Sequence, residues 1–170
     1  MSWSEMTWPS NKTELYTLLG TMNRELIGAA PLPLPVMSNC AALLWDAMPE
    51  INWAGFYLAG KEQTLVLGPF QGKPACTLIP YGRGVCGTAY ATGQTQLVKD
   101  VHQFPGHIAC DGASNSEIVI PLVVDGKVLG VLDIDSPVFD RFDAEDAAGL
   151  QKIVEDLLAL VDWKHGLLGV

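Results

Sequence analysis

The stretch EIVIPLVVDGKVLGVLDIDS, residues 117–136, decides the fold. Its halves, Ile118–Val124 and Lys127–Ile134, are rich in β-branched residues, and Asp125-Gly126 joins them. A two-residue Asp-Gly link between such runs signals a tight antiparallel hairpin with a type I′ turn. At the end of the second run, Asp133 and Asp135 alternate with apolar residues, so period two puts both carboxylates on one strand face. Counting out from the turn, an unbulged ladder sets Val124 opposite Lys127 and Asp133 opposite Ile118, one residue from Glu117. Carboxylates gathered there repel one another unless a cation joins them; the bland alternative is a solvated strand end.

Running into the hairpin, residues 98–121 (VKDVHQFPGHIACDGASNSEIVIP) show little helical or strand periodicity ahead of their strand-like end. They hold His102, His107, Cys110 and Asp111, with Gly106 and Gly112. Both ends of this segment are strand-like, so it reads as an anchored loop, and a long anchored loop is usually functional. We expect a site loop centred on Cys110. A metal site from His102, His107 and Cys110 is a rival, but that spacing is not a standard zinc pattern. A cysteine hydrolase using Cys110 with His107 as base is another.

Further out, GRGVCGTAYATG (82–93) reads as a glycine-rich entry into a short helix closed by Gly93. Free amides at such a start attract anions and lower a nearby thiol's pKa, and Cys86 sits there. Trp53–Leu58, Leu65–Leu67 and Leu78–Ile79 read as strands, and GPFQGKPAC (68–76) as mostly loop. Near the N-terminus, Asn11 with Glu14 opens a helix that Gly28 ends. PLPLP (31–35) reads as an extended connector that cannot be helical. A second helix covers Val36–Ala47, with Cys40 as a core residue. Asp143 caps a last helix whose stripe, Leu150 to Val161, is core or a subunit interface. We expect a frayed lead at 1–10, one domain at 11–163 and a tail at 164–170.

The order of elements implies an α+β fold with helices on one face of an antiparallel sheet and a loop-covered pocket on the other. At 170 residues, half of them apolar, the chain is one domain with a proper core. The net charge of −9 argues against nucleic acid and anionic membrane as partners. No apolar run approaches the roughly 20 residues of a membrane span. The first residues lack the basic region and apolar core of a signal peptide, so the expected location is cytoplasmic.

The segments NWAGFYL, LVLGPFQGKPAC, GRGVCGTA, DVHQFPGHIACD, SEIVIP, GVLDIDSP and RFDAED, in this order and spacing, resemble the free methionine-(R)-sulfoxide reductases, which are stand-alone GAF domains. The resemblance spans about residues 11–162, and Cys76, Cys86 and Cys110 match the family's three cysteines. It implies a six-stranded antiparallel sheet, a homodimer, reduction of the R sulfoxide of free methionine, thioredoxin as reductant, and no cofactor or metal. The apolar stripe of the last helix and the Leu-rich first helix also fit a homodimer.

Sulfoxide reduction needs an attacking thiolate, a proton donor and a thiol that resolves the sulfenic acid. Cys110 is the expected nucleophile. Cys76 and Cys86 are candidate resolving thiols whose order stays open, as does an exchange of roles between Cys86 and Cys110. Glu117, Asp133 and Asp135 are the candidate partners of the substrate ammonium, and one of them, held protonated, can serve as the acid. Trp53 and Tyr57 are the candidate wall for the methyl-thioether end. A GAF domain that only binds and senses a small molecule is the remaining alternative, but a sensor has no need of three loop cysteines.

Overall fold

The computed structural model describes residues 6–108, 110–164 and 166–168. Helix α1 (Lys12–Ala29) starts where Asn11 Oδ1 accepts the Glu14 amide proton at 3.0 Å. It runs past Gly28 by one residue. Helix α2 spans Pro33–Ala47. The PLPLP segment is thus partly helical. Pro31 and Leu32 precede the helix, with Leu32 extended; Pro33 begins the first turn, where helix amides have no intrahelical partner and a missing N–H costs nothing.

The strands are β1 (Trp53–Ala59), β2 (Thr64–Gly72), β3 (Leu78–Pro80), β4 (Gln96–Val98), β5 (Ser116–Val124) and β6 (Lys127–Ser136). They form one antiparallel sheet in the order β3-β2-β1-β6-β5-β4. β2 continues through half of the segment read as loop. The register against β1 breaks between Gly55 and Tyr57, opposite Gly68 and Pro69, so the proline sits at an irregularity where no ladder donor is required.

The β5–β6 hairpin turns at Asp125 and Gly126, with φ of 50° and 76°, as a type I′ turn requires. Its ladder carries a bulge that the unbulged count omits. Val123 pairs with Val128 but Leu122 pairs with Gly130, leaving Leu129 as the extra residue. Asp133 therefore faces Val119, not Ile118, and Asp135 faces Glu117. Directly paired residues share a face, so this one-residue shift brings Glu117 onto the side of Asp133 and Asp135. A side chain at Gly130 would collide with the Tyr57 carbonyl oxygen of β1, which explains the glycine beside the bulge.

Helices α1, α2 and α4 (Ala144–Leu160) cover one face of the sheet. Phe56, Ile118, Ile120, Leu132 and Ile134 point into that layer, where they pack with Leu19, Met37, Leu44, Leu150 and Leu157. Each such side chain, fully buried, contributes about 1.5–3 kcal/mol. Cys40 lies in this core at 1% exposure, as its bland reading expects. Asp143 forms a capping box with Asp146, and Lys12 bridges both carboxylates, tying α1 to the start of α4. The described part of the N-terminal lead is held rather than frayed: Met6 and Trp8 pack on the core, and Trp8 Nε1 donates to Asp46 at 2.9 Å. Among the described residues no helix is long and apolar enough to cross a membrane.

The short helix α3 (Gly84–Thr92) lies on the opposite face. Gly93, at φ 64°, closes it in the left-handed conformation. Its buried residues Val85, Cys86 and Ala89 pack with Trp53, Tyr57, Val119 and Val131 in a second, smaller apolar cluster.

Candidate active site

On that second face the sheet and its loops enclose a cavity with about 510 Å³ of empty space, its open mouth included. Its lining includes Cys86, Cys110, Trp53, Tyr57, Glu117, Asp133 and Asp135. The expected site residues thus converge, and Cys76 joins them through a disulfide to Cys110, with Cα atoms 5.5 Å apart.

The strand pairing explains the acidic floor. Trp53 pairs with Asp135, Gly55 with Asp133, and Asp135 with Glu117, so all project from one face of three adjacent strands. A Cβ at Gly55 would press into Phe70 and the Trp53 ring, so a bare backbone is required beneath the indole. Trp53 stacks between Phe70 and Tyr57, with centroids 5.2 and 5.7 Å away. Its Nε1 is buried without a hydrogen-bond partner among the described residues, as is Asp133 Oδ1.

Glu117 and Asp133 are each only 6% exposed. Burial, with the charges of Asp133 and Asp135, pushes the Glu117 carboxyl well above the usual range. Burial raises Asp133 to about 6, against the opposing influence of Cys86 and Glu117. Asp135 is raised by burial and then by the charges of Asp133 and Asp111. Asp111 itself is held low by the Ala113 amide, despite some burial, and by Asn52 and Lys73. The cavity therefore stores protons on mutually repelling acids while keeping an ionised carboxylate at its rim.

Cys86 differs from the sequence expectation. Its thiol is pushed well up, not down, by burial and by the charges of Asp133 and Glu117. Sγ lies 3.8 Å from Glu117 Oε1, so the acids outweigh the helix-start amides. His107 Nε2 stands 3.9 Å from Glu117 Oε2, but burial, with the charge of His102, lowers its pKa, so this is a polar contact to a neutral imidazole at neutral pH. His102 is exposed and bonded to Asn115 at 2.9 Å. The His102–His107–Cys110 rival thus loses Cys110 to a disulfide and His102 to an asparagine.

Sequence reasoning missed several participants. Asn52 Nδ2 donates to Asp111 at 3.1 Å and to Ser114 at 3.0 Å, fastening the Cys110 loop to the start of β1. Lys73, on the Cys76 loop, pairs with Asp111 at 3.5 Å. Phe70 lay in the segment read as loop. Arg83, Gly84 and Val85 line the cavity at the start of α3, where the glycine-rich pattern is the one signal that pointed to them.

A six-stranded antiparallel sheet, helices behind and a loop-covered pocket in front define a GAF domain, and the GAF domain family model matches residues 38–162. The free methionine-R-sulfoxide reductase of Escherichia coli is 55% identical over 157 residues, covering 91% of this chain and 94% of that one. Among solved structures, the fRMsr of Staphylococcus aureus in complex with substrate is 50% identical, with a TM-score of 0.81, over 86% of this chain and 95% of its own. The free methionine-R-sulfoxide reductase of Neisseria meningitidis in complex with its substrate is 43% identical, with a TM-score of 0.85, over 88% and 90%. The chain belongs to the free methionine-R-sulfoxide reductase family.

Proposed function

We propose that this protein reduces the R sulfoxide of free methionine, with Cys110 as nucleophile, Cys76 as resolving thiol and thioredoxin as reductant. The observation that carries this reading is the Cys76–Cys110 disulfide at the edge of a buried acidic pocket. In the reduced enzyme the Cys110 thiolate attacks the sulfoxide sulfur. The oxygen takes a proton, its bond to the methionine sulfur breaks, and it passes to the cysteine sulfur as a sulfenic acid while methionine leaves. The Cys76 thiolate then attacks the Cys110 sulfur, water departs, and the disulfide forms. One sulfoxide and two thiols give methionine, one disulfide and one water. Glu117, held neutral by burial and its acidic neighbours, is the proton donor within reach of Cys86 and His107.

Recognition follows from the same groups. Glu117, Asp133 and Asp135 hold the α-ammonium, whose charge relieves their repulsion. The indole of Trp53, with Tyr57 beside it, forms the wall for the methyl-thioether end. Arg83 and the amides at the start of α3 face the α-carboxylate. The enzyme acts as a cytoplasmic homodimer, the compartment in which thioredoxin keeps its thiols reduced.

The test is turnover of four compounds with thioredoxin as donor: free L-methionine-R-sulfoxide, its S epimer, the N-acetylated R sulfoxide and a sulfoxide within a peptide. Only the first is expected to turn over. Equal rates on the S epimer or on the blocked amine would refute the reading. The sensor alternative predicts binding without turnover and leaves the disulfide without a use.

A further inference from the structure

Cys86 takes no part in the disulfide, yet it is 4% exposed and lines the cavity. One donor atom each of Cys86, Glu117 and Asp133 lies within 4.8 Å of the others. We propose that Cys86, Glu117 and Asp133 form a three-donor site for a thiophilic divalent cation, Zn²⁺ or Cd²⁺, and that the bound metal excludes substrate from the cavity. The exclusion rests on the substrate reading above; the metal site does not.

Geometry supports the donor set. Zinc bonds of about 2.3 Å to sulfur and about 2.1 Å to oxygen, at a tetrahedral angle, set the two ligand atoms about 3.6 Å apart. Cys86 Sγ and Glu117 Oε1 already stand 3.8 Å apart. The three side chains come from α3, β5 and β6, so none depends on a loop for its position. A second observation is independent of the cluster itself. Asp133 is 6% exposed, its Oδ1 has no hydrogen-bond partner among the described residues, and the residue lines the cavity. An unpartnered buried carboxylate oxygen is costly unless something cationic reaches it.

The donor chemistry selects the class of ion. Calcium takes six to eight oxygens and magnesium prefers an octahedron of oxygens rich in water. One sulfur and two carboxylates in a narrow site suit zinc or cadmium. Binding replaces the protons of the Cys86 thiol and the Glu117 carboxyl with metal, and those protons leave for solvent. Neither Cys76 nor Cys110 is needed, since each is bonded to the other.

That separation makes the test direct. The full-length oxidised protein, stripped with EDTA and desalted, is titrated with Cd²⁺ while the ultraviolet thiolate-to-cadmium charge-transfer band is followed. The expected result is a band that saturates at one ion per chain. It vanishes in Cys86→Ser and persists in Cys40→Ser. The apparent Kd rises at least tenfold in Glu117→Gln and Asp133→Asn, which are near-isosteric and keep the wild-type near-ultraviolet circular dichroism. A Cys76→Ser, Cys110→Ser double variant cannot turn substrate over, and there free L-methionine-R-sulfoxide weakens cadmium binding. No band in the wild type, or a band that survives Cys86→Ser, overturns the metal site. Cadmium binding that is indifferent to the sulfoxide overturns the exclusion. Reductase activity without metal binding sinks only this inference, and metal binding without reductase activity sinks only the substrate reading.

Discussion

Asp133→Asn separates the stability of this site from its function. The side chain keeps its shape and loses its charge. Asp133 is buried between Gly55 of β1 and Val119 of β5, and its carboxyl is raised from 3.8 to about 6, chiefly by burial. A raised folded-state pKa gives stability that is fully present below the unfolded value and lost as pH rises through the folded one. Between 3.8 and about 6, at about 1.4 kcal/mol per tenfold change in proton affinity, the loss comes to about 3 kcal/mol by pH 7. Asparagine carries no such loss. Removing the charge also relaxes Glu117 and Asp135, both of which Asp133 pushes up. The variant is therefore expected to be more stable than wild type at pH 7 by about 3 kcal/mol, with the difference fading below about pH 4.

Function moves the other way. Removing one partner of a buried charge pair costs roughly 2–5 kcal/mol. We expect kcat/KM for free methionine-R-sulfoxide to fall at least tenfold, which corresponds to about 1.4 kcal/mol. Urea unfolding of the oxidised protein from pH 4 to 8, with EDTA present, gives the first quantity. Initial rates with thioredoxin give the second. A variant less stable than wild type at pH 7, or one that keeps wild-type kcat/KM, would refute the reasoning.

Four further outcomes are expected. Cys110→Ser releases no methionine in a single turnover; Cys76→Ser releases one equivalent per chain and then stalls; Cys40→Ser turns over normally. Glu117→Ala and Asp135→Ala each lose at least about tenfold in kcat/KM, whereas Asp125→Ala, on the hairpin turn at φ 50°, keeps its rates and loses up to about 2 kcal/mol of stability. Gly55→Ala crowds Phe70 and the Trp53 ring, so it costs about 1–3 kcal/mol and raises KM; an unchanged KM would remove Trp53 from the binding wall. Light scattering at micromolar concentration gives the mass of a dimer, and a monomer mass refutes that expectation.

Most of the sheet was legible because its signals are local. Asp125-Gly126 announces the hairpin, and Gly93 marks the end of α3. What failed depended on partners far along the chain. Pro69 reads as a strand breaker, yet it sits at a break in the β1–β2 register that only the pairing reveals. The extra residue Leu129 carries no mark of its own. Without it, Glu117 falls on the opposite face from Asp133 and Asp135, and the acidic floor does not assemble. The disulfide pairing was equally hidden, since residues 34 apart give no sign of which loops meet. Cys86 was misjudged for a related reason: the helix start is visible in sequence, but the burial that raises the thiol, and the two acids from β5 and β6 that add to it, are not.

The two faces of the sheet divide the work of the molecule. Behind it, Phe56, Ile118, Ile120 and Leu132 bury apolar surface against three helices. In front, α3 brings a raised thiol, and the same strands carry three raised carboxylates and two polar atoms without partners among the described residues, Trp53 Nε1 and Asp133 Oδ1. Each of these is a cost in the free protein. A ligand that brings a cation to the acids and an acceptor to the indole N–H removes several costs at once, and those gains appear as binding free energy. The same logic makes the pocket open to the wrong cation. Its repulsion is relieved by any positive charge that fits, an ammonium or a metal ion alike, and only the shape around Trp53 and the chemistry of Cys86 distinguish them. On the proposed substrate reading, selectivity for an amino acid therefore rests on the wall around Trp53 and on Cys86, not on the acidic floor.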